Sequence, residues 1–306
     1  MAMAMASKGP PYAPTTAGFG GRPDTKIDVG VSALFIALFG LLGILHMRIF
    51  KMNKAAGHFF IFNGVCFGFC MSRITTFVMR IEWAQNPTSI SIAIAANVFV
   101  SAGVILLYVI NMNFCQRTVR GYHPRFYNSK LFKNVFLAYY ISLIAVLIMV
   151  IVTTVQSFYT LNPSVLKADM NVRKFGVMWF LIFCFAPIPI TLTAIFMPST
   201  TEPQNFGKKG SLKTKAIMVI IVSAVLTLST GVRAAATLGP LRSSSDPAWY
   251  NKRAAFYVFL ATLEILVVGF FAVMRVDQRF FVPGKAEAER ETDAESKTSE
   301  GTARQV

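Results

Sequence analysis

Apolar residues in this chain come in long unbroken runs separated by short clusters of charge, Pro and Gly. Seven such runs stand out, at about 29–47, 59–81, 90–114, 132–159, 175–197, 216–238 and 254–273. A helix crossing the hydrocarbon core of a bilayer needs about 20 mainly apolar residues. The runs are too long for strands and lack the two-residue alternation of a membrane barrel, so helices, which satisfy their backbone internally, are the structure that fits lipid. The pattern predicts an all-α, polytopic membrane protein, a bundle of seven transmembrane helices over residues 28–282. Residues 1–27 and 283–306 are polar or rich in Pro and Gly, and are expected to be disordered tails.

The exceptions inside the runs carry the functional information. A charged side chain at bilayer depth costs roughly 2.5 to 3.5 kcal/mol on insertion scales and normally faces a partner. Three charges lie well inside: Arg73, Arg233 and Glu264. At 1.5 Å rise per residue they sit about 12, 8 and 15 Å from the same membrane boundary, so their heads can meet in one half of the bundle. One carboxylate between two guanidiniums leaves an excess positive charge, which favours an anionic ligand. The alternative is that Glu264 and one arginine only lock helices together while the other arginine snorkels to the interface.

In the second run Phe59, Cys66, Arg73 and Arg80 recur every seven residues and share a face, with Gly64 and Gly68 opposite as a packing surface. Arg80, Glu82 and Trp83 are read as an interfacial anchor. Pro187 and Pro189 remove backbone donors in the middle of the fifth run, and a helix kink is expected there.

Composition agrees with the pattern. Of 306 residues, 54% are hydrophobic and 14% charged, against about a quarter charged in soluble domains. The net charge of +16 is distributed by topology. About ten Lys and Arg flank the side holding the N-terminus and about eighteen the other, which places the N-terminus outside and the C-terminus in the cytoplasm. A basic cytoplasmic face accounts for the charge without nucleic acid and points to membrane lipids as partners.

Several chemistries lack their residues. The histidines, His46, His58 and His123, flank loops, and no aspartate falls within the seven runs to complete a metal or hydrolase site. No lysine lies deep inside a run to hold retinal, Lys133 standing at the edge of the fourth, and no Gly-rich phosphate loop or nucleophile triad is present. The chain is expected not to be an enzyme and to hold no cofactor or metal. The four cysteines, Cys66, Cys70, Cys115 and Cys184, lie in runs or at their cytoplasmic ends, leaving no external disulfide.

The stretch "SRITTFVMRIEWAQNPTSISIAIAANVFVSAGVILLYVINMNFCQRTVRGYHP", with the later "RVDQRFFVPG", resembles an uncharacterised family of fungal seven-helix integral membrane proteins. A looser likeness is to the fungal RTA-like lipid-translocating exporters. Those carry a glutamate three residues after the helix 6 arginine and an acid after a Tyr-x-Phe in helix 7. Here Ala236 and Leu260 stand at those positions, and Glu264 lies one turn further on.

The excess of buried positive charge points to transport or binding of a lipid or amphipathic small molecule, with Arg73, Arg233 and Glu264 around a polar cavity and an anionic amphipathic molecule as ligand. A seven-helix sensor or receptor whose basic face meets a cytoplasmic protein partner is the second expectation. A structural membrane protein is the third.

Overall fold

The computed structural model describes residues 9–13, 16–199, 202–244 and 246–282. Seven helices are long and apolar enough to span a membrane, which makes the chain an integral membrane protein by architecture. They are α1 Asp28–Ala55, α2 Ile61–Gln85, α3 Ile90–Tyr122, α4 Lys130–Gln156, α5 Pro163–Phe196, α6 Leu212–Leu238 and α7 Arg253–Val273. The sheet-like pairing among the described residues is one isolated bridge, Thr16 to Ser243.

Several helices outrun the apolar runs that announce them. The fifth begins at Pro163 rather than near 175, with Asn162 capping the Ser164 N–H, so Lys167, Asp169, Arg173 and Lys174 are helical rather than loop residues. Asp28 opens α1. Lys213 and Lys215 lie in the first turn of α6, where Ser211 caps Thr214.

Two helices are interrupted where the sequence removes what a helix needs. α5 breaks at Ala186, immediately before Pro187, which with Pro189 starts the second half without donors for the preceding carbonyls. α3 breaks at Val104, after Gly103. In α7, residues Phe256–Thr262 form a π-helical turn, with the Thr262 hydroxyl donating to the Tyr257 carbonyl at 3.0 Å.

The bundle is built around α3 and α6. α1 packs along α2, α2 along α3, α4 along α5 and α5 along α6, while α3 also meets α4, α5 and α6. In its most apolar stretch α4 has only 17% of residues buried against 56% for α6, so α4 lies at the periphery and α6 at the centre. Large apolar side chains such as Leu41, Ile44, Leu137, Ile141 and Ile148 point outward, as a lipid-facing surface requires. The expected Gly64 and Gly68 packing face is not the tight one: Gly68 meets nothing within 4 Å. The close approach is at Gly43 of α1, where an added Cβ would lie 3.3 Å from Cys70 Cβ on α2.

With seven crossings the two termini lie at opposite ends of the bundle. Residues 1–8 and 283–306 of the expected tails lie outside the described residues. The described part of 1–27 is held across the N-terminal end of the bundle, in contrast to the expected disorder. Tyr12 N–H donates to Phe158 O at 2.7 Å and Ala17 N–H to Arg242 O at 2.9 Å. Phe19 packs on Phe256 with ring centroids 5.9 Å apart. Gly20, at φ 81°, lies so close to that ring that any Cβ would be 2.9 Å from it.

Candidate functional site

Arg73 and Arg80 share one face of α2, and each buries its guanidinium against α7 at a matching seven-residue interval. Arg73 Nε donates to Glu264 Oε2 at 2.6 Å and Nη2 to Oε1 at 2.5 Å, a bidentate pair with both side chains 0% exposed. Its Nη1 donates to the carbonyls of Phe99 and Val100 on α3. In an unbroken helix those oxygens would serve Gly103 and Val104, the residues at the break. Gly103 also leaves the room the guanidinium occupies, since a Cβ there would stand 2.9 Å from Arg73 Nη1.

One layer nearer the N-terminal end, Arg80 is only 4% exposed. Its Nη2 and Nε donate to Asp28 Oδ1 at 2.8 and 3.0 Å, and Nη2 also donates to Gly20 O at 2.8 Å. Tyr257 donates its hydroxyl to Asp28 Oδ1 at 2.7 Å, Arg253 pairs with Asp28 Oδ2 at 3.0 Å, and the Phe256 ring lies under the Arg80 guanidinium. Phe77 stacks between the two layers against Phe35 and Tyr257.

The expected interfacial anchor therefore divides. Arg80 is a buried ion-pair partner, Glu82 accepts from Asn86 at 2.7 Å, and Trp83 faces a cavity. Asp28 and Tyr257, which complete the layer, had no sequence signal: Asp28 precedes its apolar run by one residue, and Tyr257 reads as an ordinary aromatic.

The expected trio is not one site around a cavity. Arg73 and Glu264 are closed on each other, whereas Arg233 is half-buried and its guanidinium makes no hydrogen bond or ion pair with any described residue. Its electrostatic neighbours are Tyr108, Arg73, Glu264 and Cys184, on four other helices. Pro187 and Pro189 lie at the α5 break, with the Pro187 carbonyl 3.8 Å from Cys115 Sγ on α3.

The open space lies at the N-terminal end of the bundle, as a cavity of about 1080 Å³ between the 12–22 segment, α5, the α4–α5 turn and the start of α7. Among the described residues six cations line it, Arg22, Lys167, Arg173, Lys174, Lys252 and Arg253, and no carboxylate does. Phe19, Trp83, Phe158, Leu166, Met170 and Leu241 supply apolar wall.

Two of the cations are engaged elsewhere: Arg22 donates to Pro87 O at 3.0 Å and Arg253 holds Asp24 and Asp28. The ammonium groups of Lys167, Lys174 and Lys252 form no ion pair or hydrogen bond among the described residues. Arg173 Nε is buried without a hydrogen-bond partner. The wall is amphipathic, cationic and enclosed by the chain's own N-terminal segment. Chemically it fits a molecule with an anionic head and an apolar body.

At the other end, 202–211 lies against the turn after α7. The buried Lys215 donates to Phe206 O and to Asn205 Oδ1, and Arg117 donates to Phe280 O. Beyond α7, burial pushes the Asp277 carboxyl up, but hydrogen bonds from Arg275 and Asn53 outweigh it and hold the group below its ordinary value. Arg275 is correspondingly raised, first by its bond to Asp277.

Residues 203–281, which include Arg233 and Glu264 but not α1 to α5, match a family described as protein of unknown function (DUF3112). No curated protein and no solved structure matches the chain.

Proposed function

We propose that this integral membrane protein binds, and moves across or within the bilayer, an anionic lipid or lipid-like small molecule, using the cavity at the N-terminal end of the bundle as its site. The observation that carries this reading is a lining with six cations and no carboxylate beside an apolar wall. Lys167 and Lys252 are exposed to water, whereas Arg173 and Lys174 are half-buried and gain most from an anion; a paired cation such as Arg73 needs nothing further. Arg233, unpaired and deeper in the bundle, is the station an anion would reach after the cavity. The excess of Lys and Arg in the loops of the opposite end sets the N-terminus outside and the C-terminus in the cytoplasm, so the cavity belongs to the outer half. The basic cytoplasmic end meets anionic headgroups and offers a surface to a cytoplasmic protein partner. No step in this reading is catalytic.

The test is binding to the purified full chain of single-chain amphiphiles that differ only in head charge: dodecyl sulfate, a zwitterionic dodecyl phosphocholine and dodecyltrimethylammonium, each below its micelle concentration. Selective binding of the anion, followed by its movement across vesicles carrying the protein, is expected. Equal binding of the cation would overturn the reading.

A second reading, a structural membrane protein, is favoured by the closure of the Arg73–Glu264 pair. On that reading all buried charges act only in folding, and anion selectivity is absent.

A further inference from the structure

Three of the cavity's cations without an ion pair are gathered on one wall. Lys167, Met170, Asn171 and Lys174 follow the i, i+3, i+4, i+7 spacing of a helical face, and Leu166 and Arg173 flank it, so the first turns of α5 present three cations to the void. Of the other three lining cations, Arg253 is ion-paired, Arg22 is held by a backbone carbonyl, and Lys252, just before α7, is exposed to solvent. The nearby carboxylate on this stretch is Asp169, which lies outside the lining, is 4% exposed and makes no ion pair with Arg173. Three cations against one carboxylate leave an excess of two charges, and Arg173 Nε still lacks an acceptor. The N-terminal end of α5, at Pro163, also borders the space and adds the positive end of its dipole.

From this we infer that the ligand's headgroup is a phosphate monoester dianion, held by Lys167, Arg173 and Lys174. This inference rests on the anionic-amphiphile reading above and narrows it to one head chemistry. A carboxylate or a phosphodiester carries one charge and would leave the wall half neutralised. A monoester carries close to two negative charges at pH 7 and offers three terminal oxygens, enough to take the Arg173 fork and two ammonium groups together. The same two-charge match makes the wall a filter against the singly charged phosphodiesters that fill a bilayer.

The experiment titrates the purified full chain, in neutral detergent at pH 7.5, with dodecyl phosphate, dodecyl methyl phosphate, laurate and inorganic phosphate, read by tryptophan fluorescence because Trp83 lines the cavity. Dodecyl phosphate should bind at least tenfold more tightly than the diester or laurate. Arg173→Gln and Lys174→Gln should each abolish that preference, and Lys167→Gln, at an exposed position, supplies the same test if either of the others fails to fold. Arg173→Lys should keep only part of it, because the fork is lost.

Equal affinity for monoester and diester, or a preference that survives in the three Gln variants, overturns the inference while leaving the anionic-amphiphile reading intact. Failure of all three amphiphiles removes both. Inorganic phosphate binding as tightly as dodecyl phosphate supports the headgroup assignment and removes the amphiphile.

Discussion

The interface of α1, α2 and α7 and the cavity beside α5 contain the same residue types in opposite conditions. In the first, Arg73 pairs with Glu264 and Arg80 with Asp28, which Arg253 shares, and both arginines are buried. In the second, Lys167, Arg173 and Lys174 face a void of about 1080 Å³ with no carboxylate in its lining. Cationic residues at membrane depth thus do not by themselves mark a ligand site; an unneutralised cation beside empty space does. The closed layers fasten helices, and the open wall is the one on which the proposed recognition rests.

The sharpest way to break this contrast is to remove one partner of a closed pair. Glu264→Ala leaves Arg73 charged and buried, and is expected to cost about 3–5 kcal/mol in detergent unfolding, whereas Arg73→Leu with Glu264→Leu should recover most of that loss. A double variant as unstable as the single one would mean that Arg73 does more than fasten α2 to α7.

Gly103→Ala should cost about 1–3 kcal/mol by overpacking, because the new Cβ falls 2.9 Å from Arg73 Nη1. Thermal melting of that variant tests whether the gap in α3 exists to admit the guanidinium.

At the opposite end, Asp277 contributes stability through a carboxyl held below its ordinary value of 3.8. That contribution is present above the ordinary value and disappears as pH falls through the lower, folded value. The melting temperature of the native chain should therefore fall toward that of Asp277→Asn on acidification below about pH 4, and parallel pH profiles would contradict it.

The smallest expected effect is on the open wall. Lys174→Gln should change stability by no more than about 0.5 kcal/mol, since it breaks no contact. A larger loss in the unliganded protein would erase the distinction between the two regions.

Much of the fold was legible because length and polarity alone decide whether a segment can cross lipid, and each of the seven runs lies within one spanning helix or overlaps most of it. The ends were less legible. The first turns of α5 carry Lys167, Asp169, Arg173 and Lys174, and their polarity resembles a loop although Asn162 and Pro163 start a helix there. That stretch lines the cavity beside α5, so the boundary error and the missed lining have one cause. Arg73 and Glu264 stood out because a charge in an apolar run is rare. Asp28 did not, because it sits at a run's edge, where charge is ordinary.

By itself, then, the sequence determined seven apolar helices, the presence of three charges inside them and the break at Pro187, all of which follow from local composition and helix geometry. Which charge meets which was decided by the tertiary structure. So was the path of 16–27 across the bundle's end, and the enclosure of a cationic space between segments more than two hundred residues apart in the chain. Pairing and cavities depend on the relative placement of distant helices, and neither hydropathy nor spacing along one helix encodes that placement.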